Sequence, residues 1–292
     1  MIQCGTCAKE LSRFAPHCAV CGTQQFPNVN LAMAPEEQRV LQNRYDEARK
    51  AAAAAGLEEL AEQFEAYVGR SLAVMCVKFE ELERLASSDS EVKATFYGLA
   101  DTRVPRAHPP AGTDWSRIRE LVDTAMFGDE VKRDIRFAAL SGTAAGLSAY
   151  GPCTLVCATA HIEKRASVFE KNSCQFFIDR GMIEVSRTVN VPQGYRSTWA
   201  DRAKLAIAKL ADGLRPAMSS DQFNEILLTA GETTADDDFV EVHICGPMSA
   251  ETFQQVIIHD EAAAKRYAPP ALKDLKKNLY SLGLLNDEGA TS

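Results

Sequence analysis

The chain has no apolar run that approaches the length of a membrane span. It has no glycine-rich loop closed by Lys-Ser or Lys-Thr, so P-loop phosphate chemistry is set aside. GxGxxG, GxSxG and HExxH are missing as well, and with them the dinucleotide turn, the nucleophile elbow and the zinc-protease helix. The five histidines, His17, His108, His161, His243 and His259, share no metal-ligand spacing with one another. Cationic residues are in deficit: 32 Lys and Arg against 40 Asp and Glu give a net charge of −8, which disfavours a general nucleic-acid coat. No internal repeat is found. The opening Met-Ile-Gln-Cys carries neither a basic region nor an apolar signal segment, so a cytoplasmic location is expected.

What is present begins at the N-terminus. Cys4-Gly-Thr-Cys7 and Cys18-Ala-Val-Cys21 are two CxxC pairs separated by ten residues. Four thiolates suit a tetrahedral Zn²⁺. A segment this short builds no hydrophobic core of its own, so a structural zinc is expected to hold a ribbon over residues 1–25. Gly5 and Gly22 fall at the turns, where a positive φ is needed. A disulfide pair or two redox CxxC motifs are the competing accounts of the same spacing. The other five cysteines, Cys76, Cys153, Cys157, Cys174 and Cys245, are scattered and read as buried thiols.

At 292 residues, 46% hydrophobic and 25% charged, the chain holds one large globular domain or two ordinary ones. Phe26 to Pro35 reads as a short polar linker. Pro35 to Ala55 reads as a helix, because alanine is the best helix former and Ala51 to Ala55 is unbroken. Leu57, Leu60, Phe64, Val68, Leu72, Met75, Phe79 and Leu82 recur at three- and four-residue steps, predicting one long amphipathic helix from Leu57 to Ala86. That helical segment, residues 35–100, is expected to pack as a hairpin on the main domain, with a dimerisation helix as the alternative; the spacing drifts from a strict heptad. Pro105, Pro109, Pro110 and Gly112 mark a boundary.

Residues 113–285 mix helices and strands without a regular βαβ rhythm, so the fold class is α+β. Helices are expected over Trp115–Phe127, Asp201–Leu214, Ser220–Thr229 and Lys265–Leu282. Strands are expected over Cys153–Ala158, Ala166–Phe169, Ile183–Val191, Phe239–Cys245 and Val256–Ile258. On Trp115–Phe127, Ile118, Leu121, Val122 and Ala125 share one side.

Candidate chemistry sits on Phe239-Val-Glu-Val-His-Ile244. Alternation sends Val240, Val242 and Ile244 to the core and puts Phe239, Glu241 and His243 on the opposite face. A carboxylate and an imidazole about 7 Å apart can touch one substrate if that face lines a cleft. Ordinary alternation on a half-exposed strand is the plainer account. Arg165-Ala-Ser-Val-Phe-Glu-Lys-Asn172-Ser173 gathers polar groups around one short strand, and Gly194-Tyr195-Arg196-Ser197-Thr198-Trp199 sets aromatic rings beside arginines, which suits a nucleotide-like ligand. The same rings are equally core residues with satisfied polar tips.

In order, Tyr150-Gly-Pro-Cys-Thr-Leu-Val156, the Arg165 segment, and the late Glu-x-His strand followed by Gly246-Pro247 resemble bacterial ADP-ribosyltransferase toxin-type domains over roughly residues 115–260. The resemblance implies a split β-sandwich that binds NAD. Glu241 would stabilise the nicotinamide ribose as positive charge develops, Arg165 would grip NAD, and Ser197-Thr198 would stand for the family's Ser-Thr-Ser strand, which Trp199 interrupts. Tyr150 would lie beside the cofactor. Phe239 stands where the family often carries Glu or Gln, so no acceptor is indicated. Two other functions compete: a non-enzymatic adaptor that docks a protein partner through the ribbon or the helical segment, and a hydrolase using Glu241 and His243 as an acid/base pair. Convergence of Glu241, His243 and Arg165 on one pocket favours an enzyme; separation favours the adaptor. Oligomeric state is not indicated.

Overall fold

Each CxxC turn is followed by a strand fragment or a bridge. β1 (Ile2–Gln3) and β2 (Glu10–Leu11) pair antiparallel, and His17 bridges Gln24, so the thiol-bearing turns stand side by side. The computed structural model describes residues 2–4, 6–12, 14–88, 90–98, 115–183, 189–209, 213–231, 236–259 and 269–285. Gly5, the proline-rich boundary at residues 101–112 and most of the Ile183–Val191 strand lie outside the described residues.

The stretch read as a polar linker is a helix, α1 (Pro27–Ala32), with Pro27, Asn28, Leu31 and Ala32 buried. It starts at a proline, which is pre-set for the first helical position. α2 (Pro35–Ala54) follows and turns back into α3 (Glu58–Gly69) as a hairpin. Arg49 bridges Glu62 at 3.0 Å and the Tyr45 hydroxyl donates to Glu65 at 3.1 Å across it.

The long helix expected to reach Ala86 does not form. It stops at Gly69, where the Ser71 hydroxyl donates to the Val68 carbonyl, and the chain becomes β3 (Leu72–Val77) before α4 (Phe79–Ala86). Leu72-Ala-Val-Met-Cys-Val77 is apolar throughout because β3 is interior to the sheet and covered on both faces. Such a run has no period, and helical spacing across it is coincidence.

α5 (Trp115–Phe127), β4 (Ile135–Ser141), β5 (Cys153–Cys157), α6 (Thr159–Ile162), β6 (Ala166–Phe169), α7 (Ser173–Asp179), β7 (Arg196–Thr198), α8 (Arg202–Lys209), α9 (Phe223–Leu227), β8 (Leu228–Thr229), β9 (Asp238–Phe239), β10 (Glu241–Cys245), β11 (Phe253–Ile258) and α10 (Pro269–Ser281) complete the order. Seven strands make one antiparallel sheet, β11-β5-β3-β4-β10-β6-β7, so the mixed α+β class holds. Among the described residues no helix is long and apolar enough to cross a membrane.

One face of the sheet, through Met75, Leu140, Leu155, Val168, Val242 and Ile244, packs under α2, α3, α4, α8 and α10 in the largest core. The alternation expected on β10 is therefore correct for Val240, Val242 and Ile244. The opposite face is covered too. α5 and α7 lay Met126, Phe127, Phe176 and Phe177 over Ile135 and Phe169, while Leu147 and Phe239 close over Val74, Ala139 and Val156. A sheet buried on both sides places every residue of β10 in the interior.

Candidate metal centre

The four N-terminal thiols face one another. One ligand atom from each of Cys4, Cys7, Cys18 and Cys21 lies within 4.8 Å of all the others. Cys4 and Cys21 Sγ are 3.7 Å apart, and Cys7 and Cys18 Sγ 3.6 Å. Tetrahedral thiolates about 2.3 Å from a zinc ion sit roughly 3.8 Å from one another. A disulfide would bring sulfurs to about 2.05 Å, and all four are free cysteines. The expected metal-ligand set is therefore assembled, and Gly22 adopts φ +70° at its turn as the spacing requires.

The surroundings favour thiolates at two of the four positions. Hydrogen bonding with the Thr23 hydroxyl and backbone holds Cys21 down at about 6, and backbone amides of Thr6 and Cys7 lower Cys4. The Gln25 side-chain amide donates to Cys4 Sγ at 3.6 Å. Cys7 rises to about 12: the Lys9 amide favours its thiolate, but burial and the neighbouring sulfurs outweigh it. One cation would neutralise this crowding, since adjacent thiolates repel until a metal binds them.

Among the described residues, the ribbon and the helix that follows it each contact the body. Phe14 lies over Gly128, where φ is +78° and a Cβ would come within 2.6 Å of the Phe14 ring. Asn28, buried in α1, donates through Nδ2 to His243 O at 2.9 Å, Arg165 O at 3.1 Å and Ser167 Oγ at 3.2 Å.

A second polar cluster lies inside the sheet–helix layer. Glu241, 1% exposed, accepts from the Ser173 amide at 2.9 Å, lies 2.9 Å from His243 Nε2 and faces Arg119 Nη2 at 3.5 Å. Arg119 also reaches Asp123 at 3.3 Å and Ser173 Oγ at 3.1 Å, while the Tyr97 hydroxyl donates to Asp123 at 2.9 Å. Phe127 and Phe137 meet the His243 ring edge-on at 4.9 and 5.5 Å.

Burial alone would raise Glu241; Arg119, His243 and the Ser173 amide overcome it and hold the carboxyl at about 2. Burial pushes Asp123 up to about 6 against the pull of Arg119 and lowers His243 below its ordinary value. The arrangement is a hydrogen-bonded, charge-paired interior network.

The cleft expected in front of Glu241 and His243 is therefore filled, by α5 and α7. The apolar side expected for α5 is also turned: its buried stripe is Arg119, Val122, Asp123, Met126 and Phe127, while Ile118, Leu121 and Ala125 are half-buried. The reason is electrostatic, because α5 carries the guanidinium that Glu241 requires.

The other proposed site residues fall elsewhere. Arg165 is at the far end of β10, about four residues or 13 Å along the strand from Glu241; its Nε and Nη1 groups donate to the carbonyls of His161, Cys245 and Pro247. Thr198 Oγ1 donates to Asp201 and accepts the Asp201 amide at the start of α8. Ser197 is sealed, its hydroxyl without a partner among the described residues. Tyr150 packs edge-on against Phe239, and burial raises its phenol. Glu241 and His243 meet; Arg165, Tyr150, Ser197 and Thr198 do not join them.

Sequence reasoning missed Arg119, Asp123 and Asn28; Ser173 lay in the polar segment it singled out, without an assigned partner. Arg119 and Asp123 stand one helical turn apart, a spacing visible in the sequence. Asn172 caps α7, accepting the Cys174 and Gln175 amides, and so aims the Ser173 amide at Glu241. Asn28 gave no signal.

No protein-family model matches the chain, and no curated protein matches it either. The resemblance to ADP-ribosyltransferase toxin-type domains finds no support in these comparisons.

Proposed function

We propose that the protein is a non-enzymatic binding module whose structural Zn²⁺, held by Cys4, Cys7, Cys18 and Cys21, fixes a ribbon that docks a protein partner. The observation that carries this reading is the closed set of four sulfurs within 4.8 Å of one another. Four protein ligands leave a zinc ion no open position for substrate or water, so its chemistry is to cross-link the ribbon. The second knuckle, Ala19 to Gly22, stands exposed, with Val20 65% accessible. In this reading Val20, at the tip of the metal-held turn, is where the ribbon meets its partner. Nine unpaired cysteines suit a reducing, cytoplasmic setting.

Two facts favour the module over NAD chemistry. Both Glu241 oxygens are engaged by interior groups, and Arg165 is committed to carbonyls away from them.

The test combines three measurements on the full chain. Native mass spectrometry is expected to find one zinc per chain, lost in Cys18→Ser. A photo-crosslinking residue at Val20 is expected to capture a discrete protein partner in cells, and not when Cys18→Ser is added. NAD turnover is expected to be absent. Zinc below half an equivalent, or NAD consumption that Glu241→Gln abolishes, would reject the module in favour of a disulfide or a transferase.

A further inference from the structure

Arginines placed in or near the interior usually find a carboxylate, because an unpaired desolvated charge is costly. Here Arg44 pairs with Glu170 at 2.7 Å, Arg84 with Glu81 at 3.0 Å, Arg119 with Asp123 at 3.3 Å, and Arg196 with Glu37 at 3.6 Å. Among the described residues Arg202 bonds only the Trp199 and Gly69 carbonyls, and Arg136 and Arg165 break the pattern together at one turn. Arg136, 8% exposed, donates Nε to Lys93 O at 2.8 Å, and Nη1 to Asp134 O at 3.1 Å and Gly246 O at 2.7 Å. Arg165 donates Nε to His161 O at 2.8 Å, and Nη1 to Cys245 O at 2.9 Å and Pro247 O at 2.7 Å.

Every acceptor is a neutral backbone carbonyl. Three of them, on Cys245, Gly246 and Pro247, are consecutive, so the two guanidiniums grip one turn, close enough for the charge of Arg165 to act on Arg136. The Asp134 and Glu81 carboxylates act on Arg136 only from beyond bonding distance, and Glu81 is already committed to Arg84 and Lys93. Burial, together with the charge of Arg165, lowers Arg136 below its ordinary value. The Nη2 group of each arginine makes no hydrogen bond among the described residues, and neither is among the sealed polar atoms, so both reach solvent.

We infer that Arg136 and Arg165 form a phosphate-binding site at the Cys245–Pro247 turn, with their free Nη2 groups as donors. Two positive charges without a carboxylate match a dianion. Guanidiniums bind phosphate oxygens in directed, charge-assisted hydrogen bonds, so the backbone carbonyls that orient both arginines also pre-organise the site. The zinc reading plays no part in this inference.

The test is calorimetric titration of the zinc-loaded full chain with inorganic phosphate and with glycerol phosphate, at constant ionic strength set by chloride. Saturable binding of one equivalent is expected, weakened at least tenfold in Arg165→Gln and in Arg136→Gln. Arg165 is the more exposed of the two, so if Arg136→Gln fails to fold, Arg165→Gln with an unchanged circular dichroism spectrum carries the test. Binding of the ester as well as the free ion identifies the phosphate group of a larger ligand as what is read. Binding of the ion alone restricts the site to inorganic phosphate. Absence of saturable binding, equal binding of acetate, or unchanged affinity in a folded Arg165→Gln overturns the inference.

Discussion

Replacing Glu241 by Gln is expected to destabilise the fold, even though the side chain keeps its size and can still accept the Ser173 amide. Glu241 is 1% exposed and supplies one of the two carboxylates that face Arg119. Removing one partner of a buried ion pair costs about 3–5 kcal/mol when the other charge is left alone; Arg119 keeps Asp123, so the loss falls at the lower end of that range. Proton linkage gives a similar magnitude independently. The folded carboxyl titrates at about 2 against a reference of 4.5, and each pKa unit is worth about 1.4 kcal/mol, so its ionisation contributes about 3 kcal/mol. The folded pKa is the lower one. That stability is therefore fully present above pH 4.5 and is lost as pH falls towards 2. Urea unfolding at pH 7, repeated in steps down to pH 3, measures both effects. The wild type should lose stability through that acid window, whereas Glu241→Gln should start lower at pH 7 and lack this part of the slope. A loss below about 1 kcal/mol at pH 7, with the acid slope unchanged, would refute a compensated interior role for Glu241.

Asn28→Ala should cost about 1–3 kcal/mol in urea unfolding, the scale for leaving buried acceptors without their donor. Asn28→Asp should cost more, since it turns a carboxylate toward the Arg165 and His243 carbonyls; a milder effect than alanine would reject the contact. Gly128→Ala should loosen the ribbon, because it adds a Cβ against Phe14 at φ +78°. The expected result is faster zinc release to a chelator and faster amide exchange over residues 4–21, with protection in β10 retained; unchanged release would count against Phe14 as the anchor.

Elements with their own period or punctuation were legible in the sequence. The CxxC pairs fix the ribbon because ligand spacing is local chemistry. α2 follows from its proline start and alanine run, and β10 follows from Val240, Val242 and Ile244. β3 was not legible, because a strand covered on both faces has no alternation and its Leu72 and Met75 happen to continue the α3 stripe. Burial of Glu241 and His243 was not legible either. Alternation assigns them a face, but whether that face is open depends on α5 and α7, which come from distant parts of the chain. The turn of α5 had a trace in sequence: Arg119 and Asp123, one helical turn apart, flank Val122 on the stripe that ends in Met126 and Phe127. Reading charge as a mark of the solvent face hid the partner that Glu241 needs.

The short segment between the ribbon and α2 changes how these parts relate. Gln25 donates to Cys4 Sγ at 3.6 Å, and the Asn30 amide donates to Gln25 Oε1 at 3.3 Å. Two residues earlier on α1, Asn28 donates to the His243 carbonyl at 2.9 Å, and the imidazole of His243 lies 2.9 Å from Glu241. A spacer would let the ribbon swing free of the sheet. A buried helix hydrogen-bonded both to the ribbon and to the sheet instead makes the thiol cluster and the interior carboxylate parts of one packed unit. Side chains that bridge in this way couple the stabilities of what they join. Double-mutant cycles between Asn28 and Cys18 should then show an interaction energy above about 0.5 kcal/mol, whereas a detachable ribbon would give additive effects.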